Sequence, residues 1–149
     1  MSREASSLSV AAAKTPKSDG VRVGVVVATL RGCPTRLLDD PAFFKELLHS
    51  AVEASGLHLL HEYIHQFEPC GVTGTAVLAE SHLAFHSWPE EGLLFIDIAT
   101  CSEGGASQVA FERILEMVPH QSVEHHRVCL GACLLYTSDA ADELRSGEL

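Results

Sequence analysis

The stretch LHLLHEYIHQFEPCGVTGTAVLAESHLAFHSWPEEGLLFIDIAT, residues 57–100, decides the fold. It holds four extended, apolar-rich segments (57–67, 72–79, 82–88 and 93–100), and the breaks between them, Pro69-Cys70-Gly71, Glu80-Ser81 and Pro89-Glu90-Glu91-Gly92, are short turn clusters. Strands joined by turns this short pair as antiparallel neighbours, because a parallel return needs a long crossover. Upstream, VRVGVVVAT (residues 21–29) is a β-branched run without helical spacing and reads as another strand. Between the two lies a helix. Asp40 suits its cap and Pro41 its first turn, while Phe44, Leu47, Leu48, Ala51 and Val52 repeat at helical spacing as far as Gly56. Downstream, Phe111, Ile114, Leu115 and Val118 mark a second helix over 106–118, stopped by Pro119, and a last strand covers 122–130.

The expected order is β-α-β-β-β-β-α-β, an α+β two-layer sandwich with a mainly antiparallel sheet and both helices on one face. Two helices cover only one side of such a sheet. The other side is expected to bury itself against a second copy of the chain, giving a homodimer of αββα layers.

Composition narrows the function classes. The chain has 149 residues, 46% of them hydrophobic, and a formal net charge of −10. That is one domain's worth of sequence with ample core-forming residues. An acidic chain lacks the basic surface that neutralises phosphates, so no nucleic-acid partner is expected. No apolar run reaches the length of a membrane span, so no membrane partner is expected either. Five cysteines, an odd number without paired spacing or a secretory signal, fit a cytoplasmic protein with at least one working thiol.

Both ends stand apart from this domain. Residues 1–20 are rich in Ser, Ala and Lys without either period and read as a disordered leader. Residues 133–149, beginning CLLYTSDAADE, look like translated adapter sequence from DNA library construction. Without them the charge becomes −7, since four acids (Asp139, Asp142, Glu143, Glu148) and one base (Arg145) go. The working domain is then residues 21–132.

His61-Glu62-Tyr63-Ile64-His65 matches the H-E-x-x-H pattern of zinc hydrolases. That chemistry needs both histidines on one helical face around a single metal. The segment follows the helix stop at Gly56 and reads as extended, which sets His61 and His65 about 13 Å apart, too far to share a zinc. No metal site is expected.

Residues 67–101 carry a more specific pattern: Phe67-Glu68-Pro69-Cys70-Gly71-Val72-Thr73-Gly74, then Glu80-Ser81-His82, then His86-Ser87-Trp88-Pro89-Glu90, then Asp97-Ile98-Ala99-Thr100-Cys101. In order and spacing these four blocks resemble the self-processing, pyruvoyl-dependent S-adenosylmethionine decarboxylases of bacteria and archaea. The likeness extends more faintly over residues 21–131. It implies autocatalytic cleavage between Glu80 and Ser81 into a β chain and an α chain. Ser81 is the implied precursor of the pyruvoyl cofactor and the point of Schiff-base formation with S-adenosylmethionine. It implies further that Thr73 and His86 serve processing as hydroxyl and base, that Cys101 is the proton donor in turnover, that Phe67 stacks on adenine and that Glu90 accepts from the ribose. Neither metal nor pyridoxal phosphate is implied. The product is the aminopropyl donor for spermidine synthesis.

These residue types suit that chemistry. Loss of CO₂ from an α-amino acid leaves a carbanion that no ordinary side chain can hold, so an electrophilic carbonyl must be built in. A serine hydroxyl that attacks the preceding carbonyl can generate one from the chain itself. A thiol, mostly protonated near neutral pH, can donate a proton without a large shift. Taken singly, each residue has another reading: Ser81 as a turn serine, His86 as a strand histidine, Cys101 as a small buried hydrophobe. Thr73 stands where Ser is common, and Ser102 follows Cys101 where Gly is frequent. The alternatives are the same pyruvoyl machinery acting on arginine or ornithine, the zinc hydrolase, and a non-catalytic partner subunit. Residues 81 and 86 are an odd number apart, so a regular strand points them to opposite faces; either the chain bends or bulges near Ser81, or the two act in different geometries before and after cleavage.

Overall fold

The protein is described from a computed structural model covering residues 21–102 and 105–131. The leader expected over 1–20 and the tail expected over 133–149 lie outside the described residues.

Six strands form one antiparallel sheet: β1 (Arg22–Arg31), β2 (Leu59–Gln66), β3 (Val72–Leu78), β4 (Ser81–Trp88), β5 (Leu93–Thr100) and β6 (Ser122–Gly131). Their spatial order is β2-β3-β4-β5-β1-β6. The hairpins β2–β3–β4–β5 follow one another as the turn spacing requires, and β1 closes between β5 and β6. Among the described residues there are also three helices: α1 (Thr35–Leu38), α2 (Pro41–Ser55) and α3 (Ala106–Met117). The sequence predicts only the two longer ones, because a single turn such as α1 is too short to show a period. The expected α+β layering of helices on an antiparallel sheet is the one observed.

Helix α2 begins and ends for local reasons. The Asp40 carboxylate accepts the Ala42 amide at 3.0 Å, Pro41 needs no partner for an absent N–H, and Gly56 closes the last turn at φ 73. Its stripe Phe44, Leu47, Leu48 and Ala51 is fully buried. It shares one core cluster with alternate residues of the sheet, among them Leu30, Phe85, Ile96 and Ile98. The Phe44 and Phe85 rings stack with centroids 4.2 Å apart. Phe85 also explains a motif glycine: a Cβ on Gly74, its cross-strand partner, would lie 2.6 Å from Phe85 Cζ.

The opposite residues of each strand, including Thr75, Ala84, His86, Trp88 and Phe95, form a sheet face that none of the helices among the described residues covers. Segment 61–65 is strand β2, with Glu62 on the helix side, bonded to His49 at 2.7 Å, and with His61 and His65 on the open side.

Candidate active site

The site residues fall into two groups at opposite ends of the central hairpins. The first is built on the β3–β4 turn. Leu78 pairs with Ser81, so Ala79 and Glu80 make a two-residue hairpin loop. Such loops usually place positive φ at their central residues to match the strand twist. Here Ser81 carries it instead, at φ 144, the only non-glycine residue with positive φ among the described residues. A side chain held in that glycine region costs on the order of 1–3 kcal/mol, and such strain collects at functional positions. The departure from regular strand geometry is confined to this φ, since β4 keeps an unbroken register with β3 and β5 from Ser81 onward. His86, further along β4, points to the open face.

Two neighbours hold this turn. On one side, β5 ends at Thr100, the partner of Ser81, and the next amide, that of Cys101, donates to the Glu80 carbonyl oxygen at 2.8 Å. On the other, the nearly buried Glu80 carboxylate accepts from His58 twice, from the backbone amide at 3.1 Å and from ring Nδ1 at 2.6 Å. The Cys101 thiol is free and half-buried. Thus Glu80, Ser81 and Cys101 converge.

The second group lies where β3 begins and β4 ends. Thr73 and His86 are cross-strand partners, and Thr73 Oγ1 sits 2.5 Å from His86 Nδ1. The same hydroxyl donates to the Phe85 carbonyl at 3.1 Å. The Thr73 hydroxyl thus bridges the Phe85 carbonyl and the His86 ring, and the imidazole tautomer sets which of Oγ1 and Nδ1 donates between them. Phe95 and Trp88 flank the imidazole, with ring centroids 6.0 and 6.4 Å away.

Beyond them, the 67–71 loop closes through the Phe67 amide on the Gly71 carbonyl at 2.7 Å. Asp39 anchors the loop from α1, accepting the Gly71 amide at 2.8 Å. Phe67 is left 47% exposed, and its ring and that of His65 meet in a T-shaped contact with centroids 4.8 Å apart. Glu90 lies in the 3₁₀ turn Pro89–Glu91, and its carboxylate accepts from the half-buried Cys70 thiol at 3.4 Å. That hydrogen bond, then slight burial and the charges of Glu90 and Asp39, pushes the Cys70 thiol pKa up. Phe67, Thr73, His86 and Glu90 thus share one end of the sheet.

The two groups do not meet within one chain. His86 follows Ser81 by five residues of strand, about 17 Å. His58 and Asp39 went unmarked in the sequence, since neither sits in a motif, and Cys70, at a variable position of the first block, carried no assigned role; each acquires its partner only through the fold. Among the described residues there is no group of three or more His, Cys, Asp or Glu able to hold a metal ion, and no helix long and apolar enough to cross a membrane.

The sequence profile of the family described as S-adenosylmethionine decarboxylase matches residues 24–129. The chain is 35% identical over 113 residues to the S-adenosylmethionine decarboxylase proenzyme of Picrophilus torridus, covering 75% of this chain and 87% of that one. It is 38% identical over 106 residues to the proenzyme of the same name from Prochlorococcus marinus, covering 71% and 75%. Among solved structures it resembles the adenosylmethionine decarboxylase of Aquifex aeolicus, with a TM-score of 0.69, 29% identity, and coverage of 72% of this chain and 89% of that one.

Proposed function

The chain belongs to the S-adenosylmethionine decarboxylase family, and from that premise we propose that it matures by cutting its own Glu80–Ser81 bond and then decarboxylates S-adenosylmethionine to the aminopropyl donor of spermidine synthesis. One observation carries this reading: the strained Ser81 sits on the carboxyl side of a carbonyl already engaged by the Cys101 amide.

In processing, Ser81 Oγ attacks the Glu80 carbonyl carbon and its proton passes to a base. The Cys101 N–H stabilises the negative charge that collects on the carbonyl oxygen. The C–N bond then breaks, the Ser81 nitrogen takes up a proton, and the amide has become an ester. Removal of the Ser81 α-proton expels the Glu80 α-carboxylate from Cβ. The dehydroalanine left on residue 81 adds water and loses ammonia, leaving a pyruvoyl group at the head of the new α chain. Relief of the φ 144 backbone at Ser81 favours the first step, the shift of the Glu80 acyl group from nitrogen to oxygen.

The pyruvoyl carbonyl supplies the electron sink that decarboxylation requires. Around it, the chain's own residues bind and move protons. Cys101, one residue past the strand partner of Ser81, is placed to return a proton to the substrate's α-carbon. Phe67 offers an exposed ring to stack on adenine, an arrangement suited to a cationic ligand. Glu90 offers carboxylate oxygens to the ribose hydroxyls.

His86 and Thr73 are proposed to act on Ser81 of a second copy. A two-fold axis lying between two opposed open faces and running across the strands swaps strand ends, so the His86 end of one β4 lies over the Ser81 end of the other. That arrangement also buries the face that none of the described helices covers. The protein is then a cytoplasmic homodimer with two composite sites.

Denaturing mass spectrometry tests the core of this reading. A fragment beginning at residue 81 with a pyruvoyl terminus is expected, and Ser81→Ala should leave one intact chain without activity. An uncleaved parent chain would overturn it. Release of labelled CO₂ from S-adenosylmethionine, but not from arginine or ornithine, decides the substrate.

A further inference from the structure

We infer that His58 is a positioning residue for self-cleavage, holding the Glu80 side chain so that the Glu80 carbonyl stays aimed at the Cys101 amide. This rests on the proposed self-processing.

His58 is the residue just before β2, outside every motif of the family pattern, yet it holds both central residues of the scissile turn. Its backbone carbonyl accepts the Ala79 amide at 2.9 Å, its amide donates to Glu80 Oε1 at 3.1 Å, and its ring Nδ1 lies 2.6 Å from Glu80 Oε2. A carboxylate only accepts, so the imidazole carries its proton on Nδ1. The Glu80 side chain is 8% exposed against 64% for His58. A carboxylate so enclosed needs its donors, and His58 supplies both those seen here.

The geometry gives this pairing a chemical consequence. Glu80 is pinned at two points, its side chain towards His58 ahead of β2 and its carbonyl towards Cys101 beyond β5. Rotating the peptide between Glu80 and Ser81 would strain one hold or break the other. The carbonyl carbon is thereby kept in one orientation towards Ser81 Oγ, which is how fixed geometry lowers a barrier. The pairing also offsets the negative charge of the side chain, which would otherwise oppose the charge developing on the same residue's carbonyl oxygen.

Pulse-labelled full-length chain from cell-free translation, chased and resolved under denaturing conditions, gives the first-order rate of conversion to residues 1–80 and 81–149. His58→Ala should cleave about ten-fold more slowly, the loss expected when one charge-assisted hydrogen bond is removed from a barrier. His58→Asn, which retains a side-chain donor, should recover most of the rate. In a Glu80→Gln background, His58→Ala should change the rate by less than about two-fold, because coupled residues are not additive. A merely structural histidine would slow cleavage equally in both backgrounds, and that result overturns the inference. So does cleavage of His58→Ala at the parent rate. An uncleaved parent chain overturns the proposed self-processing itself, a distinguishable outcome.

Discussion

The backbone amide of Cys101 donates to the carbonyl oxygen of Glu80 across 2.8 Å, so under the proposed mechanism one residue serves maturation through its main chain and turnover through its side chain. The link exists because β5 pairs with β4 in a register that sets Thr100 beside Ser81. The next residue must then pass the turn.

The two roles of Cys101 separate on mutation. Cys101→Ala keeps the amide and removes the thiol, so cleavage at Ser81 should proceed while decarboxylation per cleaved chain falls about 10²-fold or more, the usual share of a positioned proton donor. Fragment analysis and labelled CO₂ release, run on the same preparation, check this. Loss of both together would place the thiol in processing.

Composite sites predict complementation. Ser81→Ala and His86→Ala chains, each inactive alone, should form mixed dimers in which one site takes an intact Ser81 from one copy and an intact His86 from the other. Random assortment restores about a quarter of the sites. Cleavage of the His86→Ala chain only in the mixture, seen by mass, supports the arrangement. A mixture as inactive as its parts would confine the site to one chain.

The ring of Phe85 makes Gly74 a packing requirement rather than a hinge. Gly74→Ala would put a methyl group 2.6 Å from Phe85 Cζ, in a core where Phe85 is stacked on Phe44. Overpacking of this kind costs about 1–3 kcal/mol, and Phe44→Ala, which opens a cavity instead, about 3–5 kcal/mol. Urea titration measures both. Gly74→Ala combined with Phe85→Leu should recover stability relative to Gly74→Ala alone.

Cys70 reports on Glu90. Because the carboxylate accepts from the thiol and raises its pKa, less thiolate is present at a given pH than in a free cysteine. Glu90→Gln removes the charge, so the pH midpoint for alkylation of Cys70 should fall and its rate at neutral pH should rise. Iodoacetamide labelling with peptide mapping follows this thiol separately from the buried Cys33. An unchanged midpoint would show that Glu90 does not engage Cys70 in solution.

The sequence by itself determined the parts whose cause is local. Alternation along 72–100 and the short turn clusters specify consecutive hairpins, and Asp40, Pro41 and Gly56 bound the helix that covers them. The block pattern from Phe67 to Cys101 pointed to the family. A residue's identity and its sequence neighbours suffice for these readings, because strand pleat and turn geometry act over a few residues. Only the tertiary structure decided how the chemical residues are shared out. The pairing Ser81 with Thr100 brings Cys101 to the Glu80 carbonyl, and the pairing Thr73 with His86 gathers the other group at the far end of the sheet. His58 became visible only by its contact with Glu80, 22 residues away. Register and the folding of one strand's lead-in onto another's turn are set by the whole sheet packing on Phe44 and its neighbours. No periodicity along the chain records them.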